Sequence, residues 1–323
     1  MSPLSPTGLL SDVTVLDVGQ GISGPYCAKV LAGLGAGETP DDRYILGEAP
    51  ELRNFFVVAG FNSIGIQSAG GAGMVLAEWL GKGHQPMDLW DVDIRRFAPF
   101  QGNHLYLHDR TIEGLGLLYA MHWPFRQFDT SRGVRRSPLH DRLAKAGACF
   151  GEATGWERAN WFAPDGVEAK YEYSYGRQNW FEYTGNECRA VREGVAMFDQ
   201  TSFAKFILEG SDAEEILNQV CANNMSVTVG KLVYTQWLNE RGGIEADLTV
   251  TRIAEDRFLV VTAFSTETRD FHWLQSHIPK NGKKILAVFD MTPARPLFHT
   301  KQGEAIAAIP EEMILGFLKD IIK

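Results

Sequence analysis

A chain of 323 residues with 45% apolar and 11% aromatic side chains has ample material for packed cores, and its length fits two domains better than one. Its 31 basic residues stand against 40 acidic ones, a net charge of -9, so it lacks the basic balance that grips phosphate backbones, and nucleic acid is not an expected partner. Cys27, Cys149, Cys188 and Cys221 lie far apart without a CxxC pair, which excludes a zinc ribbon and fits reduced thiols in a cytoplasmic protein. The opening MSPLSPTGLLSD has neither the basic nor the apolar region of an export signal, and no apolar run is long enough to span a membrane.

The first predicted element is a buried strand over 13–18, VTVLDV, followed by GQGISG and a helix-like stretch from Pro25 to Leu34. Gly19, Gly21 and Gly24 satisfy GxGxxG between strand and helix. No second strand carries an acidic residue at the distance a dinucleotide site requires, so a set of turn glycines competes with the dinucleotide reading. Next, FFVVA at 55–59 reads as a strand and leads into a turn and helix start containing Gly60, Asn62, Ser63, Gly65, Gly70, Gly71 and Gly73. Bare backbone N–H groups and the positive end of a helix dipole suit an anion or an electron-rich ring, although a tight packing turn has the same composition. HLYLHDR, holding His104 and His108, alternates like a strand; with His122 these spacings offer no metal-type ligand set. YAMHWPFRQF could line an amine pocket through cation–π contacts or sit in a core, and Arg132, Arg135 and Arg136 read as a solvated linker face.

Farther on, Ser211-Asp212-Ala213-Glu214 has a capping-box pattern and opens a helix predicted over 212–222. LVYTQWL, DLTVTRI and FLVVTAF are strand-like runs separated by turn sequences and predict an antiparallel meander. A helix is predicted after Ser265 with Phe271, Leu274 and Ile278 on one face, then a strand at 284–289 and a helix from about Glu311.

Residues 13–36, VTVLDVGQGISGPYCAKVLAGLGA, resemble the opening of family III CoA-transferases, and no transferase catalytic residue carries over from that segment. From about residue 40 to 280, ILGEAPELRNFFVVAGFNSIGIQSAGGAGMVLAEWL, DLWDVDIRRFAPF and YAMHWPFRQFDTSRGVRRSPLHDRLAKAGACFGEATGWERANWF resemble the dimethylglycine and sarcosine dehydrogenase family. NECRAVREGVAMFDQTSF and the meander resemble the first domain of the glycine-cleavage T-protein, an aminomethyltransferase. The resemblance implies an α/β plus α+β chain: part of an FAD-oxidoreductase domain followed by part of a T-protein-like folate-binding domain. The expected boundaries are a CoA-transferase-like fragment at 1–38, the end of the FAD-binding domain at 39–94, a middle segment at 95–136, the T-like domain at 137–280 and an unassigned tail at 281–323.

The implied cofactors are FAD, against Gly60, Asn62, Ser63, Gly65, Gly70, Gly71 and Gly73, and tetrahydrofolate, against Tyr234 and Asp247. The implied substrate is a small N-methylated amine. GGIEADLTV matches the T-protein strand that bears an aspartate pair; Asp247 matches its second member and Ala246 replaces the first, regarded as catalytic, so no catalytic residue is assigned. The expectation is a truncated or fused product, inactive unless a partner chain supplies the FAD-binding half. The alternatives are a folate-binding module without redox activity and a CoA-transferase relative. With only 54 residues ahead of the 55–59 strand, that strand is expected to lack flanking strands, one of which VTVLDV could replace.

Overall fold

A computed structural model describes residues 39–50, 52–62 and 64–278, together with the backbone of 14–17 and 287–290. The stretches read as helices at 25–34 and from 311, and Ser63, lie outside the described residues. The chain divides into two compact units, Met1–Met121 and His122–Lys323.

In the first unit, β1 (Thr14–Asp17), β2 (Ile45–Glu48) and β3 (Phe55–Ala59) form a sheet in the order β1-β3-β2. β3 is central: β1 pairs with it in parallel, Thr14 opposite Phe55, and β2 runs antiparallel, Ile45 opposite Ala59. The anticipated replacement of one flanking strand is present as TVLD of β1, and the expectation that the other side lacks a partner is corrected by ILGE of β2, so β3 N–H and C=O groups find ladder partners on both sides.

Leu46 and Phe56 face α1 (Gly65–Lys82) and pack with Val75, Leu76 and Trp79, while Ile45, Val57 and Ala59 form a second cluster with Ile94. Burial on both faces explains why 55–59 is a continuous apolar run. Trp79 meets Phe56 edge-on at 5.4 Å, and Gly47, at φ 130°, makes the room: a Cβ there would stand 3.0 Å from the indole. α1 ends at left-handed Gly83, whose N–H donates to the Trp79 carbonyl at 2.8 Å.

HLYLHDR is not a strand. It opens α2 (His104–Leu118), capped by Asn103, whose Oδ1 accepts from the N–H groups of Leu105 at 3.0 Å and Tyr106 at 3.3 Å. Tyr106, Leu107, Arg110 and Gly114 recur at helical spacing on the buried face, and a side chain at Gly114 would have to displace the Asp42 carboxylate. Seven alternating residues satisfy period two and period 3.6 about equally, and the cap decides between them.

The second unit begins with α3 (His140–Lys145) and a hairpin of β4 (Ala148–Ala153) and β5 (Trp156–Phe162), turned at Thr154-Gly155, both at positive φ. α4 (Phe181–Glu193) follows. β6 (Ala204–Glu209), β7 (Leu232–Leu238), β8 (Ile244–Ala254), β9 (Arg257–Thr262) and β10 (Ala287–Asp290) form an antiparallel sheet in the order β10-β6-β9-β8-β7. The predicted β7-β8-β9 meander is present, and β10 joins the same sheet beside β6. One sheet face, with Phe206, Leu208, Trp237, Leu248, Val250, Phe258 and Val260, packs against Ile216, Leu217 and Val220 of α5 (Ala213–Val220) and Leu274 of α6 (Glu267–Ser276). Each fully buried aliphatic side chain there contributes about 1.5–3 kcal/mol.

α5 occupies its predicted place without the capping box. Asp212 sits at its N-cap without a side-chain bond to the helix, and Glu214 instead accepts from Ser226 Oγ at 2.6 Å and pairs with Arg252 at 2.5 Å. A long-range guanidinium outcompetes the local cap.

Candidate functional site

The turn after β3 has the features of a ligand-facing backbone. Gly60 and Asn62 both take positive φ, 69° and 43°. Asn62 Nδ2 donates to Thr39 Oγ1 at 3.2 Å, while its Oδ1 is buried and accepts nothing among the described residues. Phe61 stacks on Tyr44 at 4.8 Å, fixing the turn from behind. α1 then starts at Gly65 with no side-chain cap and no acidic residue in its first turn, so its positive end is uncompensated from within.

Gly70, Gly71 and Gly73 lie along the exposed surface of α1, and a Cβ at any of them would meet nothing within 4 Å. Packing within this unit therefore does not require those glycines. Beside them Ile66 is fully exposed and Met74 largely so. This chain's own packing does not account for bare backbone, an orphaned buried carbonyl oxygen and uncovered apolar side chains on one strand-turn-helix. Features of this kind are what a flat, electron-rich ring would contact.

The second candidate pair lies on the meander. Tyr234 stands opposite Thr249 and Asp247 opposite Gln236, so tyrosine and aspartate are diagonal neighbours on the sheet face away from α5. Tyr234 is 56% exposed, and the neighbouring Asp247 carboxylate raises its phenol pKa above the ordinary 10.0. Asn223 holds this strand by donating from Nδ2 to the Tyr234 carbonyl at 2.7 Å. Strand alternation sends Ala246 the opposite way, into the core with Trp237 and Leu248. The carboxylate position lost from the aspartate pair is thus an inward one.

The basic cluster is not a solvated face. Arg132 is bound by Glu157 through Nε at 2.8 Å and Nη2 at 2.5 Å. Arg135 is buried, pairs with Glu267 at 2.8 Å and lies over the Trp156 ring at 4.4 Å; only Arg136 is exposed. In YAMHWPFRQF, Trp123 packs on Tyr175 and Phe125 on Trp180, while the Tyr175 hydroxyl donates to the His122 carbonyl at 3.0 Å. Phe125 and Tyr175 nonetheless remain largely exposed, at 67% and 64%. No group of three or more metal-ligating side chains occurs among the described residues, and no described helix is long and apolar enough to cross a membrane.

Fold and site define a chain in which a flavoenzyme segment precedes an aminomethyltransferase-like domain. Residues 82–137 match the FAD dependent oxidoreductase central domain, and residues 139–299 match the GCVT N-terminal domain. These two matches, with the relatives that follow, make the chain similar to the dimethylglycine and sarcosine dehydrogenase family. It is 50% identical over 256 residues to the 4-methylaminobutanoate oxidase (formaldehyde-forming) of Paenarthrobacter nicotinovorans, covering 79% of this chain and 31% of that one. It is 34% identical over 253 residues to the mitochondrial pyruvate dehydrogenase phosphatase regulatory subunit of Mus musculus, covering 77% and 29%. With mitochondrial sarcosine dehydrogenase of Mus musculus the identity is 37% over 241 residues, covering 67% and 26%. The chain therefore spans less than a third of the length of each of these relatives.

Proposed function

We propose that the chain is the middle portion of an FAD- and tetrahydrofolate-dependent N-methyl amine dehydrogenase, acting with further polypeptide that supplies the rest of the FAD-binding half. The carrying observation is the exposed glycine surface of α1 beside the orphaned Asn62 Oδ1. FAD, held there, would supply the hydride acceptor for oxidation of an N-methyl group. Gly60, Asn62 and Gly65 would offer it backbone N–H groups and the positive helix end, and Gly70, Gly71 and Gly73 would admit it against the helix. Ile66 and Met74 exclude water from its edge.

Tyr234 and Asp247 hold the pterin of the folate, the ring by stacking and the carboxylate by accepting from ring N–H groups. With alanine at 246, no second carboxylate is available to assist aminomethyl transfer. Water adding to the oxidised N-methyl group would give formaldehyde and the demethylated amine, in keeping with the name of the 50% identical relative, and bound tetrahydrofolate would be the acceptor of that formaldehyde. Its name also makes a secondary amine on a short acid chain the first substrate to test. A second reading, a folate-binding module without redox activity, draws on the likeness to a regulatory subunit.

The purified chain and its complex with a co-expressed FAD-binding half are compared by flavin absorbance near about 450 nm and by retained folate. Flavin in the complex, lost on substituting Asn62, supports the dehydrogenase. Folate retention with no flavin in either preparation supports the module.

A further inference from the structure

We infer that His104 and His108 form a surface site for a divalent transition metal of the zinc, nickel or copper(II) class, unconnected with the flavin and folate surfaces. They are one turn apart on α2, a spacing that puts side-chain origins about 5–6 Å apart on one face. Asn103 pins the helix start, so the first turn bearing His104 is ordered rather than frayed. Both residues are exposed, with the His108 side chain 58% accessible, and neither is needed by the core that Tyr106, Leu107 and Arg110 build on the opposite face.

The second observation concerns the tautomer. His108 Nδ1 lies 3.0 Å from Asp109 Oδ1, and in the Nδ1–H tautomer the carboxylate accepts that proton's bond and leaves Nε2 as the ring's metal-ligating atom. A carboxylate behind a histidine in this way orients the ring. Two neutral imidazoles select borderline metals over magnesium or calcium, which prefer oxygen donors. With two protein ligands, water completes the coordination sphere, and the metal exchanges freely.

The test is isothermal titration of the untagged, chelator-stripped full chain with zinc, beside H104A, H108A, D109N and H122A, each checked for native circular dichroism. The wild type is expected to take zinc, each of H104A and H108A to weaken it by at least about tenfold, and D109N by about tenfold. H122A is expected to bind as the wild type does. Zinc binding that survives H104A and H108A, or is abolished by H122A, overturns the site, as does a wild-type chain that takes no zinc; an unchanged D109N overturns the role given to Asp109.

Discussion

Replacing Glu157 by alanine tests how the second unit is held together. Its carboxylate accepts from Arg132 at 2.8 and 2.5 Å and from the Gly133 N–H at 2.6 Å, while Arg132 also donates to the Phe150 carbonyl at 3.1 Å. Removing one member of a buried pair costs about 3–5 kcal/mol. Only Glu157 is fully enclosed, at 4% side-chain exposure against 30% for Arg132, so water rescues part of the stranded guanidinium and the expected loss is about 2–3 kcal/mol. At about 2–4 °C per kcal/mol for a unit of this size, the transition falls by about 5–10 °C. E157Q keeps the shape and the Gly133 bond and loses about 1 kcal/mol.

Thermal unfolding followed by tryptophan fluorescence reports the site directly, because Trp156 and Trp161 are both fully buried on the hairpin. Burial alone would push the Glu157 carboxyl up, and Arg132 with the Gly133 N–H outweighs it, holding the group below its ordinary 4.5. Its stabilisation is therefore complete above pH 4.5 and is lost as pH falls through the folded-state value. The gap between wild type and E157Q should close in acid. A change below about 0.5 kcal/mol for E157A, or a gap that does not vary with pH, refutes the reasoning.

Three further outcomes are expected. Substituting Gly70, Gly71 or Gly73 by alanine should raise the stability of the isolated chain by about 0.5–1 kcal/mol each in urea melts, since the positions are helical and open; a loss would mean the α1 surface is covered from within. In a Cys27→Ser background, a thiol reagent should modify exposed Cys188 rapidly. Cys149, whose thiol burial pushes up, and Cys221, pushed up to about 11, should react only on unfolding; fast native modification of three thiols would contradict their burial. A246D should cost about 3 kcal/mol or more in the same melts, because the side chain enters the core beside Trp237 and Leu248; a neutral effect would mean that this face opens onto a ligand cavity.

The sequence by itself determined the family resemblance, the meander, the strand at 55–59 and the helix after Ser211, because period-two and period-3.6 patterns and turn residues are local properties. It also marked Asp247 and Ala246 as neighbours whose chemistry differs. Only the tertiary structure decided that they point to opposite faces of β8, that ILGE flanks β3, and that Arg132 and Arg135 are consumed by Glu157 and Glu267. The Arg135 partner lies 132 positions away along the chain. Whether a charge is solvated, capping or buried depends on which distant group meets it, since a buried charge is tolerated only beside its partner, and no local window of sequence contains both.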